Sequence, residues 1–161
     1  MKGGMIRTER LRLKPLNAEE LLLAAQNASE NHVKNALAYR REMVLAHPDS
    51  FEWYTEWALM TADEQVTIGG IMLMAERNDR EIEIGYGLDE KYRNKGYMTE
   101  AVCALIGWMF RQSEGLAYVV AETEKENAAS QKVVIRAGLS RYKETEESVW
   151  WRIGRDANHT V

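Results

Sequence analysis

Residues 82–102 read IEIGYGLDEKYRNKGYMTEAV. The first seven alternate apolar with polar or glycine, the pattern of a half-buried strand. The last six open a run with helical spacing, EAVCALIGWMF. Between them lie Arg93, Lys95 and Gly96, so a strand passes through a basic glycine loop directly into a helix. The first amides of a helix have no internal partners, and the macrodipole places partial positive charge there. Gly96 gives the backbone access to positive φ, so that successive N–H groups curl round an anion. The Thr99 hydroxyl is free to cap the helix or to meet a phosphate oxygen. The chemistry implied is pyrophosphate binding; a basic turn before a buried helix is the alternative. Neither a Walker motif nor a GxGxxG dinucleotide fingerprint is present.

The rest of the chain bounds what this loop serves. With 161 residues the chain is expected to form one domain over 1–155, with a disordered tail at 156–161. A net charge of −4 argues against a general nucleic-acid binder, so the local cations point to a small anion. No apolar run approaches the roughly 20 residues of a membrane helix. MKGGMIRTERLRL lacks the apolar stretch of a secretory signal. The single cysteine, Cys103, fits a reducing cytoplasm. His32, His47 and His159 share no metal-ligand spacing, and no metal site is expected.

Residues 8–16 alternate through Leu11 and Leu13 as a first strand. Asn17 and Glu20 form a capping-box pair opening a helix, and a second helix is expected over about 30–46. WYTEWALMT, VTIGGIMLM and REIEIGYGL read as three consecutive strands. After the loop and its helix come the strand AYVVAET, a helix from Asn127 to a C′ glycine at Gly138, and the hairpin SRYKE–SVWWRIG. The expected class is α/β (α+β): a mixed, mostly antiparallel sheet of about seven strands with about four helices.

The segment 82–102 resembles the central motif of the GNAT superfamily of acyl-CoA-dependent N-acyltransferases, and is most similar to the branch that acetylates N-terminal residues of ribosomal proteins. The family pattern Gln/Arg-x-x-Gly-x-Gly/Ala reads here as Arg93, Gly96 and Met98. Asn127, Ser130 and Gly138 in ENAASQKVVIRAGL fit the family's next helix. The resemblance implies the GNAT fold, acetyl-CoA as cosubstrate, and a V-shaped split between the fourth and fifth strands holding the pantetheine arm. It implies that the pyrophosphate lies on Arg93, Asn94, Lys95, Gly96, Tyr97, Met98 and Thr99. The amides of Gly87 and Leu88 would meet the acyl carbonyl and the start of the pantetheine. Asn127 would contact the pantetheine arm or an ordered water, with Ser130 near the cofactor. Two positions depart from the pattern: Met98 is larger than the usual glycine or alanine, and Val134 stands where many members carry an acidic tyrosine.

An amine attacking a thioester must be neutral, close and well oriented, and a carboxylate base helps. Glu83, at the family's recurrent glutamate position, is the candidate, acting through a water. Alternation sets Glu81, Glu83, Gly85 and Gly87 on one face and Ile82, Ile84 and Tyr86 on the other. The acceptor expected is a primary amine, either a protein N-terminus or a small molecule. A homodimer is open, and neither nucleic acid nor membrane is expected as partner. A non-catalytic acyl-CoA-binding module of the same fold is the alternative, motivated by Met98 and Val134.

Overall fold

The computed structural model describes residues 4–63, 65–78 and 80–158. Among them, eight strands form one sheet: β1 (Ile6–Arg7), β2 (Leu11–Pro15), β3 (Glu56–Thr61), β4 (Thr67–Asn78), β5 (Glu81–Leu88), β6 (Tyr118–Glu124), β7 (Ser140–Glu144) and β8 (Ser148–Gly154). The helices are α1 (Ala18–Asn27), α2 (Asn31–Ala46), α3 (Tyr97–Gln112), α4 (Ala128–Arg136) and α5 (Arg155–Asn158). The strand order is β1-β2-β3-β4-β5-β6-β8-β7. Only β5 and β6 pair in parallel; the other neighbours are antiparallel.

Three details differ from the sequence expectation. The two-residue β1 is too short to carry an alternation signal. WYTEWALMT does not start as a strand: Phe51–Trp53 form a single 3-10 turn, and β3 begins at Glu56. The turn is held because the Trp57 indole donates to the Glu52 carbonyl at 2.9 Å. Asp156–Asn158, expected in a disordered tail, belong to α5. Its Arg155 donates to the carbonyls of Phe110 (2.6 Å), Leu116 (2.9 Å) and Ser113, satisfying acceptors at the end of α3. The tail's last three residues, 159–161, lie outside the described residues.

The core forms where one sheet face meets α3 and α4. Leu13, Leu59, Ile71 and Leu73 from the sheet pack with Leu105, Ile106 and Met109 from α3, all at most 1% exposed. Burying each such side chain stabilises by about 1.5–3 kcal/mol. The α1–α2 hairpin has a small cluster of its own around Leu21, Leu37 and Val44. It begins on the capping box at Asn17 and Glu20, and Lys14 reaches Glu20 at 2.6 Å.

The central feature is where β5 and β6 part. Their pairing runs Glu81↔Tyr118, Ile82↔Val119, Glu83↔Val120 and stops. Beyond it, Ala121–Glu124 of β6 pair with β8, whereas Ile84–Leu88 of β5 keep only β4. The sheet is therefore split on the C-terminal side of Glu83, as the resemblance implies. Along that edge the backbone groups of β5 need partners from elsewhere.

Candidate active site

The split opens onto the basic loop. Gly96 has φ 82° and Asn94 φ 64°, so the chain passes twice through the left-handed region before α3. Gly96 is the N-cap and no side chain caps the helix. Thr99 therefore does not cap, and its hydroxyl stays available to a ligand. Met98 turns its side chain into the core, where it is 5% exposed. The bulk that breaks the family pattern points away from the anion site, and the Met98 amide keeps its place in the first turn.

The loop is braced by residues that its own sequence does not reveal. The Arg10 guanidinium stacks 4.4 Å from the Tyr97 ring centroid and donates to the Lys95 carbonyl at 2.9 Å. It also donates to Glu100 at 2.8 Å, while the other Glu100 oxygen accepts from Thr8 and from the Arg10 amide. Burial pushes the Glu100 carboxyl up, but those hydrogen bonds and the Arg10 charge outweigh it and hold the group below its ordinary range. The Arg93 Nε donates to the Leu88 carbonyl at 3.0 Å, tying the loop to the end of β5.

A cleft of about 480 Å³ runs from the end of β5 along the loop to α4. It is lined by every residue expected to bind the cofactor except Lys95. Lys95 instead lies with its ammonium 6.0 Å from the Tyr92 ring centroid. Asn127 caps α4, its Oδ1 accepting the Ser130 amide at 3.0 Å, and its side-chain NH2 remains a donor. Lys132 and Arg136, both exposed, add cationic lining. They are spaced i, i+4 with Ala129 and Val133 beside them, a helix-face signal the sequence does carry. Val134 is fully buried and takes no part in the cleft.

The amides in the split follow from strand geometry. Asp89 donates its N–H to the Ile68 carbonyl of β4 at 2.7 Å. Successive strand amides point to opposite edges, so the Gly87 amide faces β4 while those of Leu88 and Tyr86 face the split. Of the two amides expected to meet the cofactor, Leu88's is aimed there and Gly87's is not. Glycine is required one strand away: a Cβ on Gly69 would stand 2.3 Å from the Gly87 oxygen. Tyr86 spans the cleft, its phenol donating to the Ser130 carbonyl at 2.9 Å and lying 3.0 Å from the Ser130 hydroxyl. Burial pushes that phenol's pKa up.

Glu83 lies outside the cleft, on the last paired position before the split, and is half-buried opposite Met74. His47 stacks on Tyr54 at 3.8 Å. Burial pushes the Cys103 thiol up, away from nucleophilic character.

Residues 10–140 match the family model described as an acetyltransferase (GNAT) domain. The chain belongs to the GNAT acetyltransferase family. It is 26% identical over 164 aligned positions to the uncharacterised N-acetyltransferase YjdG of Bacillus subtilis (strain 168), covering 91% of this chain and 96% of that one. The GNAT fold recurs in the solved structure of RimL, a ribosomal α-N-protein acetyltransferase in complex with coenzyme A, at TM-score 0.75 and 16% identity over 96% of this chain and 99% of that one. A ribosomal-protein-alanine acetyltransferase from Vibrio fischeri superposes at TM-score 0.73 with 17% identity, over 95% and 97% of the two chains. This GNAT member is thus an N-acetyltransferase whose cosubstrate is acetyl-CoA. Among its described residues no helix is long and apolar enough to cross a membrane.

Proposed function

We propose that this enzyme, a single domain, transfers an acetyl group directly from acetyl-CoA to a primary amine within a ternary complex, in the cytoplasm. The observation that carries the reading is a seam of open β5 amides running into an uncapped, cation-flanked helix N-terminus. An extended amide-bearing chain with a pyrophosphate at its end meets both. Acetyl-CoA supplies the electrophilic thioester and the thiolate leaving group.

The amides of Tyr97, Met98 and Thr99, with Arg93, Lys132 and Arg136 around them, are suited to the phosphates. The Tyr86 and Leu88 amides are suited to the pantetheine arm and the acyl oxygen, where donors preset for developing negative charge favour the transition state. The Asn127 NH2 is suited to the opposite side of that arm, with Ser130 beside it. Glu83 draws the amine's proton away through water, a role worth a hundredfold or more in such catalysis. A free α-amine has a pKa near 8 and a lysine-type amine near 10.4, so the second class depends on that base more heavily.

The test is release of CoA thiol in the presence of an alanine-initiated tetrapeptide, its N-terminally blocked form, and spermidine. Turnover on a free amine and none on the blocked peptide is expected. Tight acetyl-CoA binding without turnover on any amine would sink amine transfer.

A further inference from the structure

Glu56 opens β3 on the same sheet face as Glu83, because it pairs with Met72, which pairs with Gly85. Its carboxylate lies flat across Gly70: Oε1 stands 2.6 Å from where a Gly70 Cβ would be. Gly70 pairs with Gly87, and nothing lies within 4 Å of a Cβ built on Gly87. Gly87 is thus bare floor at the cleft, and the Glu56 carboxylate covers the neighbouring Gly70 at the far end of that floor. The Glu56 carboxylate, lying over Gly70, is thus one strand spacing of about 5 Å from Gly87, whereas Glu83 is rooted on β5 about 13 Å from Gly87, Cα to Cα.

That carboxylate is half-buried and makes no hydrogen bond or ion pair among the described residues. Lys14, the cation diagonal to it, is already paired with Glu20 at 2.6 Å. Burial pushes the Glu56 carboxyl's pKa up. A desolvated carboxylate without a cation is costly, and an incoming ammonium removes that cost.

We propose that Glu56 docks the acceptor, holding its ammonium over the Gly70–Gly87 floor beside the Leu88 amide, and so selects cationic primary amines. This rests on the acetyl-transfer reading of the site. Glu56 is then a binding and specificity residue; the proton reaches Glu83 only through a chain of waters along the strand.

The experiment measures acetyl transfer to spermidine and to the alanine-initiated tetrapeptide, with acetyl-CoA affinity followed by calorimetry on the same preparations. Glu56→Gln is expected to raise the acceptor KM at least tenfold, with kcat within threefold and the acetyl-CoA Kd within twofold. Gly70→Ala, which leaves the carboxylate in the protein but pushes it off the floor, is expected to do the same. An acceptor KM within twofold of wild type in Glu56→Gln overturns the proposal, as does a fall in kcat at unchanged KM. If the wild type binds acetyl-CoA yet acetylates neither amine, the transfer reading fails and the docking role falls with it. Thermal melts separate either result from misfolding.

Discussion

The Arg10 Nε and the Glu100 carboxylate meet at 2.8 Å although ninety residues of chain separate them. This contact ties the segment between β1 and β2 to the first turn of α3. Arg10 also covers the face of Tyr97 and holds the Lys95 carbonyl. Arg10→Ala is expected to weaken acetyl-CoA binding about tenfold by releasing the loop, while stability falls by only about 1 kcal/mol, as for an exposed pair. Calorimetric titration and a denaturant melt read the two effects. Unchanged affinity would show that the loop holds its shape alone.

Glu100 and Glu56 give stability opposite pH dependences. Glu100 has a folded pKa below 4.5, so its contribution is full above that value and is lost as pH falls through the folded pKa. Glu100→Gln should flatten the acid limb of the Tm profile.

Glu56 is shifted the other way: its charge opposes folding as pH rises above 4.5. Glu56→Gln is therefore expected to melt higher than wild type at pH 7, with the gap narrowing as pH falls toward 4.5. A functional residue kept at a cost to stability is a familiar compromise. A lower melting temperature would contradict it.

Glu83→Gln should lower kcat about a hundredfold at neutral pH, with acceptor KM little changed. A rate within about twofold of wild type would remove Glu83 from the chemistry.

Adjacent glycines should respond differently to one added methyl. Gly69→Ala drives a Cβ to 2.3 Å from the Gly87 backbone oxygen, which cannot swing aside. A loss of about 1–3 kcal/mol is expected, the scale of overpacking. Gly70→Ala meets only the movable end of Glu56, so its melt should stay near wild type. Equal losses in the two would mean that the Glu56 side chain is not free to move.

Much of this was legible in one dimension. The capping box at Asn17 and Glu20, the strand alternation at 82–88 and the glycine stop at Gly138 are local signals, and each appears where expected. The anion loop was readable because its charge, glycine and following helix are contiguous. What escaped depends on partners distant in sequence. Arg10 meets Glu100 only after the sheet has formed, and Glu56 matters only because two glycines from other strands lie beside it. Which amide faces the split required a hydrogen bond from Asp89 to set the phase. Met98 looked like a defect because a motif records size and omits direction.

The split leaves β5 an unfinished edge, and an unfinished edge makes the ligand a structural component. Whatever completes it binds the folded chain and not the unfolded one, so occupancy adds to folding free energy by mass action. At a hundred times its Kd that is about 2.7 kcal/mol. The enzyme's resistance to heat and proteolysis should therefore track the local supply of acetyl-CoA.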